Sequence, residues 1–164
     1  ILYCLTKIVP PREVYSSVEW PVIILLASVI PLGAALESNG TTETIVQILT
    51  KYASSMEPWL IIAIIMIITM TLSDILNNTA TTLVIAPISI QLAQTLNLNT
   101  DTFLMAVAVS ASCAFLTPIG HKNNTIILGP GGYRFGDYWR MGLVLEVLII
   151  LTSIPLLLIF WPIN

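Results

Sequence analysis

Charged side chains are scarce in this sequence. They make up 9% of its 164 residues, against about 25% in an ordinary soluble domain. With 56% hydrophobic residues and a mean hydropathy of +0.91, that shortage excludes a soluble globular domain and points to an integral membrane protein. The net charge of -3 is spread thinly, with no basic block and no acidic tail, which argues against nucleic acid as a partner. Cys4 and Cys113 form no CxxC and sit in apolar surroundings, so they read as small buried hydrophobes and not as a disulfide or metal pair. The single histidine, His121, has no acidic or cysteine cluster beside it. HExxH, GxSxG, Walker and GxGxxG patterns are absent, and the glycines at 129–132 lack the strand-to-helix context of a phosphate loop, so an enzyme is not indicated.

What is present is a series of apolar runs cut by polar ones. The first run, 1–9, is too short to cross a bilayer and follows neither a Met nor a signal-peptide pattern. The chain is therefore expected to be the C-terminal portion of a longer protein whose upstream half is missing. Residues 20–36 are expected to form a transmembrane helix. Over 44–57, apolar Ile45, Ile48, Leu49 and Tyr52 recur at helical spacing, which fits a short helix at the membrane interface or, equally, a solvated connector. Residues 59–96 comprise two apolar arms of about 14 residues, near 21 Å each as helix, around the polar run 73–82. The hydrocarbon core is about 30 Å thick, so this pattern predicts a re-entrant helical hairpin. Residues 103–129 predict a transmembrane helix broken at Thr117-Pro118-Ile119-Gly120 and the polar 121–125. Residues 139–161 form a last span that contains Glu146, for which a pair with Arg140 on one helix face is preferred over a functional role.

Two triads of the same composition fall at the two breaks, Asn77-Asn78-Thr79 and Asn123-Asn124-Thr125. Amide and hydroxyl oxygens suit a small hard cation, and a helix start beside them suits an anion, so the triads read as halves of one ion and substrate site. The plainer alternative is that they satisfy their own turns, with Asn78 or Thr79 capping the second arm. Asp74 either adds charge or a proton to that site or caps a turn. His121 and Lys122 either attract an anion, with His titrating near neutral pH, or only solvate the loop. With the hairpin entering from outside, Lys7, Arg12, Arg134 and Arg140 are cytoplasmic and Lys51 is external, which places the C-terminus outside the cell membrane.

The first triad with Ala80-Thr81-Thr82 and Ala86-Pro87-Ile88, and above all residues 112–142 (SCAFLTPIGHKNNTIILGPGGYRFGDYWRMG), resemble the divalent anion:Na+ symporter family of the ion transporter superfamily. The branch most resembled is that of bacterial permeases with soluble TrkA-C domains between their halves. The resemblance implies an all-α membrane fold with an inverted repeat, of which this chain is one half, a homodimer, and elevator-like movement. Its Ser-Asn-Thr tip signature falls on Asn77, Asn78 and Thr79, with Asn77 at the usual Ser position. Its Thr-Pro and following Asn fall on Thr117, Pro118 and Asn124. The substrate anion is then expected at Asn77, Asn78, Thr79, Thr117, Pro118, Asn124 and Thr125. Na+ is the expected coupling ion, at Asn78, Thr79 and Asn124.

The function expected is Na+-coupled symport of sulfate or a dicarboxylate, with Na+ binding first and the oxyanion then held against two helix N-termini. The alternatives are a proton-coupled carrier or arsenite-type exporter, with Asp74 or His121 carrying the proton, and an ion channel.

Overall fold

A computed structural model describes residues 38–53, 55–76 and 78–163, together with Ile23, Ile24, Ala27, Ser28, Pro31 and Ala35. The expected span 20–36 lies largely outside the described residues, although its six described positions are helical. Asn77, Cys4, Lys7 and Arg12 lie outside them as well.

Every regular element among the described residues is helical. Helix α1 (Thr41–Ala53) follows a turn in which Gly40 adopts φ +68°, a conformation open to glycine. Glu43 in its first turn and Lys51 in its last complement the helix dipole. Thr42, Val46 and Ala53 face inward, whereas Ile45, Ile48 and Tyr52 are exposed. Three residues of the apolar stripe noted in the sequence are thus exposed among the described residues, while Leu49 packs against the core.

Helices α2 (Pro58–Ile75) and α3 (Asn78–Thr95) form the two arms, and each has 18 residues. Pro58 at the first helical position suits the start of α2, where its missing N–H would have had no partner. The arms are longer than the sequence pattern indicates, about 27 Å instead of 21 Å. Most of the polar run is helical, with an extended Leu76 (φ -95°, ψ 177°) ending the first arm. Ser73, Asp74 and Asn78 at the tip find side-chain partners on another segment and so do not compete for their own backbone, whereas Thr82 Oγ1 bonds back to Asn78 O at 2.8 Å.

Helix α4 (Thr100–Ala111) starts under a cap in which Asn99 Oδ1 accepts the Asp101 N–H at 3.0 Å. It packs against α2, α3 and the last helix, α6 (Tyr138–Phe160). Phe103, Ala106 and Val107 are buried there against Ile62, Met66 and Met70 of α2 and Leu92 of α3. Small residues at 106, 110 and 111 allow close helix approach, which in lipid is the main source of association. The start of α4 is fastened to the end of α6: Asn99 Nδ2 donates to Pro162 O at 2.8 Å, and Thr102 Oγ1 to Trp161 O at 2.9 Å.

Helix α4 ends at Ala111, five residues before the end expected for that arm, and an irregular segment, 112–121, leads to α5 (Lys122–Leu128). The second triad thus lies in the first turn of α5 and not in the break. A short 3-10 turn (Phe135–Asp137) then introduces α6, whose 23 residues rise about 35 Å. Among the described residues two helices, α2 and α6 with its preceding turn, are long and apolar enough to cross a membrane. Most of α6 is exposed, including Leu143, Val144, Leu148 and Leu151.

Candidate functional site

The chain's polar side chains converge on the irregular segment 112–121. Cys113, Ala114, Phe115 and Leu116 have no intrinsic reason to leave a helix. Two buried carboxyls from other helices take their backbone N–H groups. Asp74 Oδ1 accepts from Leu116 N at 3.0 Å and Thr117 N at 3.3 Å, and Glu146 Oε1 accepts from Phe115 N at 3.4 Å. Hydrogen bonds to an ionised carboxylate are about twice as strong as neutral ones, so Asp74 above all can hold the chain out of the helical ladder. Pro118, with no N–H, makes resumption impossible for another turn. Thr117 closes the turn, its Oγ1 donating to Asp74 O at 2.8 Å and accepting from Gly120 N at 3.1 Å.

The middle residues of the triads clasp this segment at nested positions. The Asn78 amide nitrogen donates to Ala111 O at 3.1 Å and Gly120 O at 3.3 Å, and lies 3.0 Å from Ser73 Oγ. That orientation of the amide is required because both carbonyls only accept. Ser73 Oγ itself donates to Ala111 O at 2.7 Å. Asn124 Nδ2 donates to Ala114 O and Thr117 O, each at 3.1 Å. Asn78 therefore spans the outer pair of carbonyls and Asn124 the inner pair. Thr125 Oγ1 adds a bond to Pro118 O at 2.6 Å, and Tyr138 Oη donates to Asn124 O at 2.8 Å. The nested bonds use the amide nitrogens and not the amide oxygens, which are acceptors.

Two glycines permit the approach. A Cβ on Gly120 would sit 2.7 Å from Ala114 Cβ and 3.1 Å from Asp74 Cα, and one on Gly142 would collide with the Phe115 carbonyl. The fold thus brings Asp74, Asn78, Thr117, Pro118, Asn124 and Thr125 into one network. Thr79 stands half-buried in the first turn of α3. His121 caps α5, its Nδ1 accepting from Asn123 N at 3.3 Å, and Lys122 is exposed in the first turn.

Glu146 does not pair with Arg140. Six residues along a helix place two side chains about 120° apart, and the Arg140 guanidinium lies 5.9 Å from the Trp139 ring centroid. Glu146 turns instead to Phe115 and Asp74. Ser73 and Tyr138 were not singled out as site residues from sequence either. An acid inside an apolar span was the available signal for Glu146, but Tyr138 gave none beyond its place in an aromatic belt. Asn124 and Tyr138 also line a groove of about 780 Å³ between α5 and α6, whose other walls, including Phe115, Ile127, Val144 and Leu145, are mainly apolar.

Comparison with known proteins gives this network a context. Residues 1–163 match the family model described as citrate transporter. The chain belongs to that family. An uncharacterized transporter of Synechocystis sp. is 38% identical over 94% of this chain and 25% of its own length, and one of Escherichia coli is 28% identical over 95% and 26%. The sodium-dependent dicarboxylate transporter SdcS of Staphylococcus saprophyticus is 27% identical over 87% of this chain and 27% of its own length. This citrate transporter family member spans about a quarter of the length of these curated relatives. It belongs to a membrane transporter family and is not an enzyme. The resemblance carried by residues 112–142 holds at the level of a fragment of a citrate or divalent-anion transporter family.

Proposed function

We propose that this chain is the C-terminal transmembrane repeat of a secondary active transporter that couples Na+ to the movement of a divalent oxyanion, sulfate or a dicarboxylate, across the cytoplasmic membrane. The observation that carries this reading is the pair of nested asparagine clasps. Asn78 and Asn124 hold one irregular segment from two sides, with their amide oxygens left over from those bonds. With Thr79, those oxygens are the proposed Na+ ligands. The start of the 18-residue α3, with Asn77 next to it in sequence, presents a positive dipole end to the anion. Thr117, Pro118 and Thr125 shape the turn against which the anion rests. Two relatives named for sodium-dependent dicarboxylate transport, from Caenorhabditis elegans and Staphylococcus saprophyticus, favour the same ion and substrate class.

The hairpin is proposed as re-entrant on the docking of its tip, since its arms, about 27 Å each, approach a full span. The 12 residues of α4 rise about 18 Å from the side where α6 ends, and Ser73 and Asn78 of the hairpin meet the end of α4. Asp74 meets Glu146, five residues beyond Met141 and so about 8 Å within the apolar part of α6. The tip then stops inside the membrane, surrounded by protein, as irregular backbone in lipid requires. The outward apolar face of α1 supports a place for it along the membrane interface. An inverted partner repeat and a homodimer complete the proposal.

Uptake of radiolabelled sulfate and succinate by the full-length protein in vesicles, with Na+ or with choline in its place, tests it. Na+-driven uptake lost in both Asn78→Ala and Asn124→Ala is expected. If both variants transport as well as the parent, the site is elsewhere.

A further inference from the structure

We infer that Glu146 is held protonated against an ionised Asp74, and that this one shared proton makes Glu146 a positioning residue for the irregular segment and its two clasps. The inference rests on the reading of α2 and α6 as membrane helices and of 112–121 as part of the transport site.

The geometry begins with an imbalance. Asp74, on α2, and Glu146, on α6, are both buried, at 4% and 9% exposure. They bond to adjacent backbone amides, Asp74 to Leu116 N and Glu146 to Phe115 N, which places the two carboxyls side by side. Asp74 Oδ1 is satisfied twice, by Leu116 N and Thr117 N, yet Asp74 Oδ2 is buried with no donor among the described residues. Two ionised carboxylates in contact in a low-dielectric interior repel strongly, so one must carry a proton. A proton on the glutamate turns Glu146 into a donor to Asp74 and supplies the partner that the orphaned oxygen lacks. The opposite arrangement is worse: Asp74 accepts two backbone N–H bonds that favour its charged form, whereas Glu146 accepts only one, at 3.4 Å.

Among the described residues, the elements with the most contact to α6 are α2, α4 and the 3-10 turn. Asp74 is the only charged residue of α2, and Asp101 of α4 lies in its first turn, at the far end of α6. Arg134 and Asp137 bond to each other through Arg134 N and Asp137 Oδ2, more than two turns before Glu146, and Arg140 lies over Trp139. At the end of the irregular segment His121 caps α5 and Lys122 is exposed. The Cys113 thiol of that segment also faces Glu146. The shared proton thus ties α2, α6 and residues 115–117 together, and pulling it away leaves two like charges on either side of the backbone they hold.

Infrared spectroscopy of the purified full-length transporter tests this without relying on transport. A protonated-carboxyl C=O band at neutral pH is expected, absent in Glu146→Gln and titrating away at a lower pH in Asp74→Asn, where the repelling charge is gone. A wild type with no such band, or a band kept in Glu146→Gln, overturns the inference. Glutamine retains both the donor and the acceptor of the protonated acid. Glu146→Gln should therefore keep uptake within about threefold of wild type while removing the fall in uptake that wild type shows as alkaline pH strips the proton. Asp74→Asn should lose about tenfold or more, equivalent to one charge-assisted hydrogen bond. Equal, pH-independent losses in both variants would reduce Glu146 to packing. If Glu146→Gln does not fold, the band in wild type and in Asp74→Asn decides alone. The band is present whether or not Na+ drives uptake, so failure of the symport reading and failure of this one are separable.

Discussion

Asn78 and Asn124 are each the middle residue of an Asn-Asn-Thr triad in the first turn of a helix, yet their bonds reach differently. Asn124 donates to Ala114 O and Thr117 O, 10 and 7 residues back in its own segment, and so closes a local loop. Asn78 donates to Ala111 O and Gly120 O, more than 30 residues ahead, and so joins the hairpin to the broken helix. One triad shapes the segment and the other docks it. Identical local sequence acquires two roles because one helix start is contiguous with the segment it holds and the other is not.

The largest test of this contrast removes the space that both clasps need. Gly120→Val places a branched side chain where even a Cβ would meet Ala114 and Asp74. Overpacking of this kind costs about 1–3 kcal/mol, and thermal unfolding of the full-length protein should show the drop together with loss of uptake. Next comes Asn78→Ala, which strips Gly120 O of its donor, leaves Ala111 O with Ser73 alone, and should destabilise by about 2 kcal/mol. Asn124→Ala should cost less, about 1 kcal/mol, because Thr125 and Tyr138 still hold the local loop. Equal losses for the two would erase the distinction between docking and shaping. A sharper version adds Na+ during the melt: saturating Na+ should raise the wild-type transition and leave both alanine variants unmoved. The smallest effect is expected of Tyr138→Phe, about 0.5–1 kcal/mol for the bond to Asn124 O, with uptake nearly preserved.

Part of this was readable from sequence alone. A helix occupies Tyr138–Phe160, where the last span, 139–161, is expected, since nothing outside an apolar run of that length is needed to make it helical. Both breaks also appear, one marked by the polar tip and the other by Thr117-Pro118. Arm lengths were misjudged because helix ends here are decided at a distance. Ser73 reaches Ala111, 38 residues away, and Asp74 reaches Thr117, 43 residues away. A side chain with a remote partner does not break its own helix. The early end of α4 has the same origin, since the carboxyls that unwind it come from α2 and α6. Glu146 was misread for a related reason: proximity in sequence to Arg140 is not proximity on a helix surface.

The anchored backbone of residues 115–117 carries one more consequence. A stretch without regular structure ordinarily exchanges its amide hydrogens with solvent quickly. Here the amides of Phe115, Leu116 and Thr117 point into carboxyls supplied by two separate helices. Deuterium should therefore enter this segment as slowly as it enters the helices around it, and its first quickening would mark the hairpin and α6 parting company.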